Sequence, residues 1–168
     1  IFLYRLLMWL IVSLGIWSVF DVLSKVFKAV LPAMLLTFAW FFSSILCYYT
    51  PNFLPDAASL GLLLIGGRFW YLYSSKKKKK WLSLFTVFVT LACLVKITSL
   101  IFVIALAIIE LPRLLKIKHH KQLWLSFIII AAAQVLWLWY CNYLEKKVGG
   151  SYFLMSINTF GSLAELKE

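Results

Sequence analysis

Residues 30–49 form an unbroken run without a single charged side chain, and several other stretches of the chain are nearly as clean. A run of this kind has two physical outlets, a large protein interior or lipid. About 20 apolar residues, rising 1.5 Å each, match the thickness of a bilayer core. Of the 168 residues, 64% are apolar and 14% charged, with a mean hydropathy of +0.94. Soluble domains sit nearer ~45–50% apolar and ~25% charged. A soluble domain of this size has too little interior to hide so many Leu, Ile and Phe side chains. The composition excludes a disordered chain, a nucleic-acid-binding domain and nearly every soluble fold. It predicts an all-α, polytopic transmembrane helical bundle.

The expected membrane segments are 1–20, 30–49, 57–73, 81–95, 97–111 and 123–143, with 144–168 as the start of an extracytoplasmic region. The fourth and fifth are divided only by Lys96 and could be read as one helix. Lys76 to Lys80 stand before them, and Arg113, Lys116, Lys118 and Lys121 after them. One crossing would put these basic clusters on opposite faces, against the tendency of Lys and Arg to collect on the cytoplasmic side. One helix over 81–109 would also measure about 43 Å, far beyond a ~30 Å hydrocarbon core. We therefore expect two short helices that turn at Lys96.

Seventeen Lys and Arg face six Asp and Glu, a net charge of +11. Eleven of the seventeen fall in three loops that this topology makes cytoplasmic: Lys25 and Lys28, the lysine run, and the Arg113–Lys121 group. That pattern fits orientation in a membrane and contact with anionic lipid, not nucleic acid. Residues 50–56, the Lys96 turn and everything after Tyr143 then lie outside, with Arg5 near the same face. Tyr48, Tyr49, Trp70, Tyr71, Tyr73, Trp81, Trp137, Trp139 and Tyr140 fall at segment ends, as in an aromatic belt. The chain starts at Ile1, already inside a membrane-grade segment, which we read as a fragment. Cys47, Cys93 and Cys141 read as small buried hydrophobes.

Two ionisable residues stand out. Asp56 ends the outer stretch Pro51-Asn52-Phe53-Leu54-Pro55 and opens the next helix. It could be a helix N-cap or an acid at the mouth of a substrate cavity. Lys96, amid apolar segments, is costly and so marks a functional site by default. Its alternatives are snorkelling to the interface or an ion pair such as one with Asp56. Arg5 could anchor the first segment at the interface, and Arg68 could snorkel to the cytoplasmic side. Asp21 and Glu110 read as solvated or paired charges. His119 and His120 are neighbours without a Cys, Asp or Glu at zinc-like spacing. No cofactor motif is legible, and a divalent metal has no support in the spacing. Ala57 and Gly61 form a small-xxx-small pair suited to helix packing.

The order of Arg5-Leu6-Leu7, the basic turn Lys25-Val26-Phe27-Lys28, the loop from Pro51 to Asp56 and the turn Leu94-Val95-Lys96-Ile97-Thr98 resembles the membrane core of GT-C glycosyltransferases. The nearest branch holds bacterial relatives of dolichyl-phosphate-mannose–protein mannosyltransferases (glycosyltransferase family 39) and the lipid A aminoarabinose transferase. The resemblance covers the chain from about Arg5 to Phe153. It implies a multi-pass enzyme of a bacterial inner membrane that takes a sugar from a polyprenyl-phosphate carrier at the outer face. The sugar would pass to a lipid, glycan or protein acceptor that these residues do not name. In that family the catalytic acid lies in the first extracytoplasmic loop, which would precede Ile1. Asp56, Lys96 and, as a second choice, Arg5 carry over as substrate-binding residues. Membrane lipids are the remaining expected partner. A transporter or flippase for an anionic or lipid-linked substrate is the alternative, with a non-catalytic membrane subunit as the third.

Overall fold

A computed structural model describes residues 2–41, 55–114 and 121–148. Among them run six helices: α1 (Phe2–Phe27), α2 (Val30–Phe41), α3 (Pro55–Lys76), α4 (Lys79–Val95), α5 (Leu100–Leu114) and α6 (Lys121–Val148). A 3-10 turn, Ile97–Ser99, joins α4 to α5. The all-α expectation agrees with this. The outer loop before Pro55, the His119-His120 pair and the tail beyond Val148 fall outside the described residues.

Phe2–Phe27 and Lys121–Leu144 are long and apolar enough to cross a membrane. Val30–Phe41 and Ile97–Leu111 are apolar but shorter. With 17 and 15 residues, α4 and α5 reach about 25 and 22 Å, less than a ~30 Å hydrocarbon core. Six full crossings are therefore more than helix length alone supports.

Two helices outrun the C-terminal ends of their expected segments by five residues or more. In α1, Asp21 and Lys25 pair across one turn at 2.6 Å, and such a pair supports continued helix. The helix ends only at Lys28, which takes a left-handed φ of 53°. In α6 the residues after Tyr143 are Leu144-Glu145-Lys146-Lys147, all good helix formers, and the helix persists to Val148. The lysine run is itself the turn between α3 and α4. Lys77 has φ 51°, and its N–H donates to the Tyr73 carbonyl at 2.8 Å. This is the left-handed helix stop that glycine usually provides.

Close backbone approach fixes the α1–α3 contact. A Cβ placed on Gly15 would stand 2.9 Å from the Gly61 Cα, and one on Gly61 would stand 2.8 Å from the Ile11 carbonyl oxygen. The two helices run parallel, since Ile11 lies beside Gly61 while Asp21 reaches Arg68. The α3–α4 pair is antiparallel: Gly66 meets Val89, Ser59 meets Ala92, and Phe69 stacks on Trp81 at 5.7 Å.

Leu82, Phe85, Val89 and Cys93 of α4 join Val103 of α5 and Leu123 and Ile130 of α6 in one buried cluster. Trp70 packs onto it, 4.9 Å from Phe85 and 6.4 Å from Phe127 between ring centres. Trp70 and Trp81, expected at a membrane interface, thus pack between helices. Outward, large apolar side chains are bare: Trp40 is 75% exposed, Ile101 69% and Trp139 67%. Extended apolar surface of this kind calls for a non-aqueous neighbour.

Candidate functional site

Pro55 opens α3, where its missing N–H and fixed φ cost nothing. Asp56 follows inside the first turn. It is a first-turn acid and not the N-cap, because the residue before it is already helical. Its negative charge faces the positive end of the α3 dipole. α4 ends at Lys96, whose backbone is extended (φ −148°, ψ 118°) while its N–H still bonds to the Ala92 carbonyl. That break ends the helix and sets a positive charge at the negative end of the α4 dipole.

The antiparallel packing of α3 and α4 brings these two helix ends together. Lys96 Nζ and Asp56 Oδ1 form an ion pair. Their side chains are 37% and 48% exposed, so both still present polar atoms to the surroundings. The two strongest sequence candidates thus meet, in the ion-pair arrangement that was one alternative for Lys96. The pair leaves the amine two further N–H donors and the carboxylate a second oxygen.

A buried hydroxyl relay supports the pair from below. Ser59, one turn beyond Asp56, donates to the Ala92 carbonyl at 3.0 Å. Its oxygen is also hydrogen-bonded to the Ser99 hydroxyl. A hydroxyl has one proton, so with Ser59 committed to Ala92, Ser99 is the donor to Ser59. The Ser99 N–H in turn bonds to the Lys96 carbonyl at 3.0 Å. Ser59 and Ser99 are both buried, and together they tie α3 to both sides of the Lys96 turn.

Arg5 lies exposed in the first turns of α1. Because α1 runs parallel to α3 with Ile11 beside Gly61, Arg5 stands roughly level with Asp56. Among the described residues no hydrogen bond or ion pair links it to the Asp56–Lys96 pair. A second charged cluster lies farther along α3. Arg68 Nε bonds to Asp21 Oδ2 at 2.6 Å, and its guanidinium sits 4.4 Å from the centre of the Trp17 ring. Arg68 therefore turns inward to α1 and does not simply snorkel to the interface. The partner of each charge is not legible from its own place in the sequence. The available signal was that one acid and one base occupy the same end of two apolar segments. Among the described residues, no group of three His, Cys, Asp or Glu side chains converges as a metal site would require.

A model of the Alg9-like mannosyltransferase family matches residues 1–149. The chain belongs to that family. No curated protein and no solved structure matches it significantly. Membership makes the chain a member of a membrane mannosyltransferase family, and so a glycosyltransferase, in agreement with its apolar helices. The match covers both helix ends that carry Asp56 and Lys96. It supports the broad glycosyltransferase expectation, while the narrower likeness to the protein-mannosyltransferase and aminoarabinose-transferase branch is not carried by it.

Proposed function

We propose that this membrane glycosyltransferase takes its sugar from a polyprenyl-phosphate carrier at the extracytoplasmic face, and that Asp56 and Lys96 hold the donor there. The acceptor is a lipid, a glycan or a protein. The observation that carries the reading is the Asp56–Lys96 ion pair, formed where two helix ends meet in a chain of the mannosyltransferase family.

The chemistry follows from what leaves. When the glycosidic bond breaks, negative charge grows on the lipid phosphate. A cation fixed in a poorly screened place stabilises that charge without reorganising. Lys96 is fixed by the turn and by Asp56, and its spare N–H donors suit phosphate oxygens. The free oxygen of Asp56 accepts from a sugar hydroxyl, which orients the ring relative to the phosphate. Arg5, level with the pair, is the second choice for a phosphate contact. The general base is not assigned among these residues.

In a transfer assay with a lipid-linked mannose donor, Lys96→Ala should lower turnover by roughly 10²–10³-fold, the usual loss for one transition-state donor. Lys96→Arg should keep part of the activity, and both variants should insert into membranes normally. Full activity in Lys96→Ala would remove the phosphate role.

A further inference from the structure

A groove of about 420 Å³ opens between α4 and α6. Lys79, the first residue of α4, and Gln122, the second of α6, both line it. Its mouth therefore lies at the end of the bundle that carries the lysine run. Ser83 and Ser126 follow one turn farther in, and Val87 and Ile129 about two turns in, beside Thr86, whose hydroxyl is tied to the Leu82 carbonyl at 2.9 Å. Polarity thus falls from a cation, through hydroxyls, to hydrocarbon over roughly 10 Å of helix.

Among the described residues, no carboxylate lines this groove. The contrast with the groove beside Arg68 is direct. That one holds about 240 Å³, and Asp21 already neutralises its cation. Lys79 is exposed and belongs to five consecutive lysines, so the mouth is strongly electropositive. Basic pockets between membrane helices are suited to anionic lipid headgroups. The hydroxyls are also adjustable. Ser83 bonds to the Lys79 carbonyl at a long 3.3 Å and Ser126 to the Gln122 carbonyl at 3.1 Å, so either proton can turn to a ligand carbonyl at small cost.

We propose that this groove binds one anionic phospholipid, with its phosphate on Lys79 and Gln122, its glycerol esters at Ser83 and Ser126, and an acyl chain along Val87 and Ile129. The site is separate from the Asp56–Lys96 pair, at the opposite end of α4, and does not depend on the donor reading.

The test is native mass spectrometry of the full protein in detergent micelles. The probes are phosphatidylglycerol and phosphatidylcholine with identical palmitoyl and oleoyl chains, supplied in equal amounts. Wild type should retain one phosphatidylglycerol under conditions that strip phosphatidylcholine. Lys79→Gln, an exposed change compatible with folding, should lower that occupancy at least tenfold. Ser126→Phe, which fills the groove without altering charge, should do the same. Lys78→Gln, one residue outside the groove, should stay within twofold of wild type. Equal retention of the two lipids would overturn the proposal. So would undiminished binding in Lys79→Gln, undiminished binding in a folded Ser126→Phe protein, or an equal loss in Lys78→Gln, which would mark a diffuse surface attraction.

Discussion

Replacing Gly61 by alanine should separate α1 from α3. The new Cβ would lie 2.8 Å from the Ile11 carbonyl oxygen and 3.0 Å from its carbonyl carbon. Ordinary carbon contacts settle at about 3.5–4.0 Å. The Ile11 Cγ2 also lies at 2.8 Å, but because backbone atoms are as close, moving that side chain is not enough, and α1 must back away by roughly half an ångström or more. Overpacking of this kind typically costs about 1–3 kcal/mol. The same shift would stretch the 2.6 Å contact between Asp21 and Arg68, which adds to the loss. Gly67→Ala is the matched control. Its Cβ would meet only the tip of the Phe102 ring, at 3.9 Å, and alanine favours helix over glycine by up to about 1 kcal/mol. Gly67→Ala should therefore be neutral or stabilising. Thermal unfolding in detergent, followed by tryptophan fluorescence, reads both variants against wild type. Gly61→Ala as stable as Gly67→Ala would refute the close helix contact.

Removing the Ser59 hydroxyl in Ser59→Ala deletes two hydrogen bonds and leaves the Ser99 hydroxyl buried without its acceptor. At about 0.5–1.5 kcal/mol per bond, stability should fall by roughly 1–3 kcal/mol, with donor KM rising as the Lys96 turn loosens. An unchanged unfolding midpoint and KM would show that the relay does not hold the turn. A double-mutant cycle with Asp21→Asn and Arg68→Gln should give a coupling energy above the ~0.2–1 kcal/mol of exposed pairs, because the pair is largely shielded and the arginine also rests on Trp17. Additive effects in unfolding measurements would contradict that. Among the described residues, Gln134 Oε1 is buried without a hydrogen-bond partner, so Gln134→Leu should leave stability equal or higher, since replacing an unsatisfied polar group removes its desolvation cost. A lowered midpoint would show that the amide satisfies an interaction beyond those seen.

The break at Lys96 was legible because two independent constraints met there. One was the pair of flanking basic clusters, which a single crossing would put on opposite faces, and the other a length no bilayer could hold. Composition was enough for the all-helical class. Partnerships across helices were harder to read. Arg68 and Asp21 stand 47 residues apart, and Ser59 and Ser99 stand 40 apart. Helical periodicity can mark which face is buried but not what lies opposite. In α1 even the face is obscure, because the helix is apolar nearly all round. Gly61 was recognised as a packing residue, but its partner Gly15 was not, since a glycine's role depends on which backbone comes near. The helix extension past Tyr143 is hard to read for a different reason. Polar residues suggested a boundary, whereas Leu, Glu and Lys are also strong helix formers.

The central claim is that the Asp56–Lys96 pair and the lysine run lie on opposite faces of the membrane. About 25 Å of α4 separates them. Single cysteines at Thr98→Cys and Lys78→Cys, each in a protein whose native cysteines are replaced, can be labelled with a membrane-impermeant maleimide in sealed vesicles of known orientation. The account predicts that position 98 reacts from the extracytoplasmic side and position 78 only after the cytoplasmic side is opened. Reaction of both from the same side would contradict it.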